Sequence, residues 1–143
     1  MFKIASYGYG NSKTNDELIH FMKDNDLSIL VDVRMRPKGW ATLWSKPYLE
    51  KKLPSEGLQY LSVPTLGNTT GTAEWIPPNE LAAQETLNYL VSLLKKGENI
   101  CLMCAEKDYK SCHRTSVAET LSQLLPDSYI IHWTKSMPLL VAC

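Results

Sequence analysis

The chain has 143 residues, 44% of them hydrophobic and 21% charged, the balance of one ordinary buried core. Fifteen basic and fifteen acidic residues cancel, so no global field draws it onto nucleic acid or membrane and any such role needs a local patch. Met1–Tyr7 is too soon interrupted by Gly8 to form a signal peptide's apolar region, and no stretch approaches the roughly 20 apolar residues that span a bilayer. The expectation is a cytoplasmic protein without a membrane partner. Its Cys101, Cys104, Cys112 and Cys143 are expected to be thiols, with no disulfide framework.

Phe2–Tyr7 reads as a short strand entering the turn Gly8-Tyr9-Gly10. Thr14-Asn15-Asp16-Glu17 has the form of a capping box, and Leu18, Phe21 and Met22 follow on one helical face. Ser28–Arg34 is short and β-branched, a buried strand, and Leu58–Val63 is a third strand closed by Pro64. The longest helix opens at Pro77-Pro78-Asn79-Glu80 and runs to about Lys96. Ala83, Leu87, Leu90, Val91 and Leu94 form its buried stripe, and Gly97 stops it. Ile100–Cys104 is the fourth strand. Val117, Ala118, Leu121, Leu124 and Leu125 mark a helix ended by Pro126, and Ser128–Trp133 is the fifth strand. Met35–Ser45 and Asn68–Pro78 are the least regular stretches.

Strands alternating with helices predict an α/β fold: one three-layer domain over 1–133, with a mainly parallel sheet of about five strands and helices on both faces. Residues 134–143 are read as an apolar tail. In an open parallel sheet ligands bind beyond the carboxyl ends of the strands. Tyr7–Gly10, Asp32–Arg34, Val63–Pro64 and Cys104–Glu106 are therefore expected on one rim.

The richest chemistry lies in Cys104–Arg114, where two thiols, an imidazole and a guanidinium sit among Glu106, Lys107, Asp108 and Lys110 between a strand and a helix. A helix start binds anions and lowers a nearby thiol's pKa, and Arg114 could add a bidentate hold on phosphate, sulfate or carboxylate. The plainer alternative is a small buried Cys104 beside a solvated loop. Asp32 and Arg34, two apart, share one face of their strand. They are either a local ion pair or an anion grip with Asp32 orienting a donor or acting as base. Ser6, Tyr7 and Tyr9, on the neighbouring strand end, bring hydroxyls that serve either the site or the packing. His20 and His132 read as structural.

Cys104-Ala105-Glu106 followed by Cys112-His113-Arg114 and a helix resembles the signature of domain-of-unknown-function family 488. The early Gly8, Asp32-Val33-Arg34 with Pro37, and Tyr60 followed by Leu66-Gly67 match that family's pattern in order, from about Ile4 to Trp133. Gly39 and Trp40 depart from it, standing where members often carry a serine and basic residues. The resemblance implies the fold and the site rather than an activity. A looser likeness to rhodanese-like sulfurtransferases, which share a D-V-R strand and a strand–Cys–loop–helix unit, is one of architecture. Their arginine follows the cysteine closely, as it does in cysteine phosphatases, whereas nine residues separate Cys104 from Arg114 here.

Three functions follow. The preferred one is an enzyme, a cysteine-dependent hydrolase or transferase acting on an anionic small molecule or nucleotide. Arg34 and Arg114 would hold the anion, Cys104 or Cys112 would be the nucleophile, and Glu106 or His113 would manage protons. A second is nucleic-acid binding or processing through Arg34–Lys52, where six basic residues face only Glu50 and Trp40, Trp44 and Tyr48 are interleaved. A third is a metal-binding regulator through Cys104, Cys112 and His113. There the spacing lacks the close cysteine pair of structural zinc, and adjacent residues at a helix start point apart. The sequence names no cofactor, substrate or oligomeric state.

Overall fold

In a computed structural model, which describes residues 1–10, 12–38, 42–106, 108–134 and 139–142, the strands and helices alternate as expected. The first strand, β1 (Phe2–Gly8), leads into α1 (Asp16–Asp24) and β2 (Ile29–Asp32). Next come α2 (Lys46–Ser55), β3 (Gln59–Ser62), α3 (Glu80–Lys95) and β4 (Ile100–Cys104). The chain ends with α4 (Arg114–Leu124), β5 (Ser128–His132) and β6 (Leu139–Ala142). The sheet order is β3-β2-β4-β1-β5-β6. The first five strands run parallel, and β6 lies antiparallel to β5. The sheet thus extends past Trp133 into the segment read as a tail.

Period-two alternation divides the core into two layers. Ile4, Val31 and Leu102 pack with Leu87, Leu90, Val117 and Leu121 of α3 and α4. Ala5, Tyr7, Leu30 and Met103 pack with Leu18, Met22, Leu49 and Leu53 of α1 and α2. β2 and β4 are buried along their whole length, which explains their unbroken apolar runs.

Two local expectations change. Thr14 and Glu17 do not close a capping box: Asn15 is the N-cap of α1 and sends its side-chain amide to the Leu43 carbonyl instead. The sequence reading also leaves out α2, because Leu49 and Leu53 alone are buried along it and so short a stripe carries little periodic signal. At α3 the reading holds, with the Asn79 side chain accepting from the Ala82 amide and Gly97 at φ +95° past its end.

The sheet order decides where a site can form. From β1 the chain passes through α1 to β2 on one side, and from β4 it passes through α4 to β5 on the other. The helices after β1 and β2 pack on one face and the helix after β4 on the other, so the segment leaving β4 parts from its neighbours at the sheet edge, and a cleft opens between the ends of β2 and β4.

Candidate functional site

The strand ends are tied together at that edge. Tyr9 and Gly10 amides donate to the carbonyls of Cys104 and Ala105 (3.3 and 2.8 Å), and Val33 donates to Met103 (3.1 Å). Gly8 has hydrogen for a side chain of necessity, since a Cβ there would overlap the Glu106 carbonyl and come within 2.9 Å of Arg114 Nη1. Beside this junction is a cleft of about 210 Å³. Arg34 and Met35 line it from the end of β2, Asn68, Gly71 and Thr72 from the loop before α3, and Cys104–Glu106 with Ser111–His113 from the segment after β4. It is smaller than the roughly 300–1,000 Å³ of drug-sized sites and suits a compact ligand.

Cys104 and Cys112 are joined by a disulfide. This corrects the expectation of thiols for these two positions, since the segment folds back and brings the two sulfurs together. Nothing in a seven-residue gap foretells that return. Cys101 is a buried thiol on the opposite face, its pKa pushed up by burial.

Arg114, at the start of α4, is fully buried. Its Nη1 donates to Cys104 Sγ (3.1 Å) and to the Glu106 carbonyl (2.5 Å), and its backbone amide donates to Cys112 Sγ (3.5 Å). Burial lowers its pKa to about 10, against the opposing pull of Cys101, Asp108 and Glu106. Arg114 is not among the residues that line the cleft and stands behind Cys104 Sγ. His113 Nε2 sits 3.2 and 3.1 Å from the Val33 and Leu66 carbonyls. Two acceptors require the proton on Nε2, which leaves Nδ1 as a lone pair 3.8 Å from Cys112 Sγ. Burial lowers the His113 pKa, so the ring is neutral near pH 7. Glu106 is exposed at the rim.

Asp32 and Arg34 form the ion pair that was one of the two readings. Nε and Nη2 of Arg34 meet the two carboxylate oxygens at 2.8 and 2.7 Å, Nη2 also donates to the Trp44 carbonyl (2.7 Å), and Nη1 donates to the Tyr9 hydroxyl (3.1 Å). These contacts engage four of the five guanidinium N–H groups. Burial opposes the charge, but the hydrogen bonds and charge of Asp32 more than offset it and raise the Arg34 pKa. Tyr60, outside the predicted set, donates to Asp32 Oδ2 (2.5 Å). Its own pKa is raised by burial and by Asp32.

The remaining candidates separate. Tyr9 stacks on Trp44 (4.6 Å between rings) and belongs to the Arg34 corner. Tyr7 is fully buried in the α1/α2 layer beside Trp133, away from the cleft, and burial raises its pKa. Ser6 bonds His132 Nδ1 at 2.6 Å, and Tyr109 stacks on that imidazole at 4.3 Å. Burial and then the charge of Arg114 lower the His132 pKa to about 4. His132 and Tyr60 escape a sequence reading because their partners depend on strand register: Ser6 faces His132 across β1 and β5, and Leu30 faces Tyr60 across β2 and β3.

A family model described as Domain of unknown function DUF488 matches residues 14–121. The chain belongs to the DUF488 family. Comparison with curated proteins and with solved structures gives no match. The match covers the Asp32–Arg34 and Cys104–Arg114 corners of this DUF488 chain, while Gly8 and His132 fall outside it.

The other two readings gain less from the geometry. In the basic segment of this DUF488 protein, Trp44 is buried and its indole donates to the Ser12 carbonyl, so it presents no face to a base. Lys46 pairs with Glu50 and Lys52 with Glu56, while Tyr48 is exposed. Gly39 and Trp40 lie outside the described residues, as do Lys107, 135–138 and Cys143. For a metal, Cys104 and Cys112 are bonded to each other and His113 is turned to carbonyls. Among the described residues no group of three His, Cys, Asp or Glu side chains could hold an ion. No helix among them is long and apolar enough to cross a membrane.

Proposed function

We propose that this protein is a cysteine-dependent enzyme, a hydrolase or transferase, acting on a compact anionic small molecule or nucleotide phosphate in the cleft between the ends of β2 and β4. The observation that carries the reading is the buried Arg114 guanidinium 3.1 Å from Cys104 Sγ. A cation donating to sulfur favours thiolate over thiol. Reduced Cys104 is then the nucleophile, Arg114 its positioning residue, and His113 Nδ1 the lone pair that takes the Cys112 proton. Arg34 lines the cleft with one N–H beyond its four contacts, and the start of α4 adds its dipole there. Exposed Glu106 at the rim is the candidate acid for a leaving group. A cytoplasmic setting belongs to the same reading, because a reducing compartment keeps both cysteines as thiols.

The test is the rate of Cys104 alkylation against pH after reduction with a phosphine. A midpoint well below the ordinary value of about 8.5 is expected, with protection by phosphate or a nucleotide and an upward move in Arg114→Met. An ordinary midpoint that Arg114→Met leaves in place would overturn the reading.

A further inference from the structure

The nucleophile reading uses Cys104 and leaves the bond to Cys112 unexplained. We propose a second activity for the same residues: Cys104 and Cys112 form a reversible two-electron couple that exchanges with small thiols and disulfides bearing a carboxylate. It rests on the proposed nucleophile only in that both use the thiolate form of Cys104.

The two sulfurs stand in different surroundings. Cys104 Sγ accepts from the Arg114 guanidinium at 3.1 Å, whereas Cys112 Sγ accepts from the Arg114 backbone amide at 3.5 Å and has His113 Nδ1 at 3.8 Å. A disulfide opens fastest when the departing sulfur is the better stabilised thiolate. An incoming thiolate therefore attacks Cys112 Sγ and forms a mixed disulfide there. The Cys104–Cys112 bond breaks, and its electron pair leaves on Cys104 Sγ beside Arg114. A second small thiolate attacks the incoming sulfur, and the Cys112 thiolate departs and takes up a proton beside His113. Two thiols become one small disulfide, and the protein disulfide becomes a dithiol. The reverse direction reduces a small disulfide.

Access and ligand class follow from the cleft. Both cysteines line it although each is only 4% exposed, so a reagent must enter the cleft to reach them. About 210 Å³ admits a small thiol rather than a protein loop. Arg34 on the wall keeps one N–H beyond its four contacts, a charged donor for one oxygen of a carboxylate. Cys101, buried in the opposite layer, stays outside the exchange.

The experiment equilibrates the full chain in buffers of graded reduced-to-oxidised glutathione ratio, followed by acid quench, alkylation and mass spectrometry. The expected result is a single reversible transition in which Cys104 and Cys112 gain or lose alkylation together and Cys101 does not change with the ratio. In Cys104→Ser, mixed disulfide with glutathione should collect on Cys112. Opening of the wild-type disulfide should slow roughly tenfold in Arg114→Met, where the departing thiolate loses its cation. If Arg114→Met does not fold, Arg114→Lys replaces it with a smaller slowing, and the wild-type transition alone still decides reversibility. A pair that stays closed, or stays open, at every ratio overturns the couple. An opening rate indifferent to Arg114 overturns the assigned direction of attack. Alkylation of phosphine-reduced protein separates this from the nucleophile reading. An acidic Cys104 in a pair that never closes removes the couple alone, whereas an ordinary Cys104 in a pair that cycles removes the nucleophile alone.

Discussion

Two arginines are buried at the same edge of the sheet, and their surroundings drive them in opposite directions. Arg34 meets Asp32 with two-pronged geometry, and its pKa rises. Arg114, more deeply buried, rests on a sulfur and a carbonyl, and burial lowers its pKa to about 10. At Arg34 the two-pronged carboxylate outweighs the cost of burial, whereas at Arg114 burial outweighs the pull of Cys101, Asp108 and Glu106. The Arg34 corner therefore holds its charge firmly against Asp32, with one N–H left for the cleft. The Arg114 corner sets a guanidinium against a cysteine, the arrangement that chemistry at sulfur needs.

The largest test of this contrast is Asp32→Ala, which leaves Arg34 buried without its carboxylate. It should cost about 3–5 kcal/mol in urea or thermal unfolding. A loss below about 1 kcal/mol would mean that the Arg34 corner does not hold the fold.

Acid should act through the other corner. His132 holds its proton less tightly folded, at about 4, than at its ordinary 6.5. The unfolded chain therefore takes up the extra proton first. Stability on this account falls as pH drops from about 6.5 towards 4, by about 2–3 kcal/mol, and is fully present above 6.5. Denaturation at pH 7 and 4.5 should show the slope in wild type and lose it in His132→Gln. Arg114→Met, by removing a nearby positive charge, should raise the His132 midpoint in an NMR titration.

Gly8→Ala should destabilise by about 1–3 kcal/mol, since the new methyl must displace the Glu106 backbone. Because Arg114 Nη1 is bound to that same carbonyl, Cys104 alkylation should change with it. Unfolding and alkylation measured on one sample decide whether packing and sulfur chemistry are coupled there.

Tyr60→Phe is the smallest. It removes one half-buried donor to Asp32 and should cost about 1–2 kcal/mol by thermal unfolding. Cys104 alkylation should stay unchanged, because the Tyr60 hydroxyl bonds Asp32 and not the residues around Arg114. A change would mean that the two corners act as one network.

Residue pattern was enough to lay out the layers and the edge at which the strands end. Apolar spacing set α3 and α4, short apolar runs set β2 and β4, and the geometry of parallel strands brings their ends to one edge. The segment Cys104–Arg114 stood out because so many titratable side chains occupy so short a stretch. Tertiary structure alone decided what each of them faces. Asp32 and Arg34 are two apart and could be read as an ion pair or as a grip, and only the packing of Tyr9, Trp44 and Tyr60 around them made the pair. Strand register, which leaves no local trace in sequence, set Ser6 on His132. Tyr7 and Tyr9 carry the same side chain two residues apart, yet one ends in the core and the other on Arg34, since β1 ends between them. The union of Cys104 with Cys112 came from a loop doubling back from β4 to α4. Arg114 on the Glu106 carbonyl and Thr115 on the Tyr109 carbonyl hold that return, contacts that residue types and spacing do not reveal.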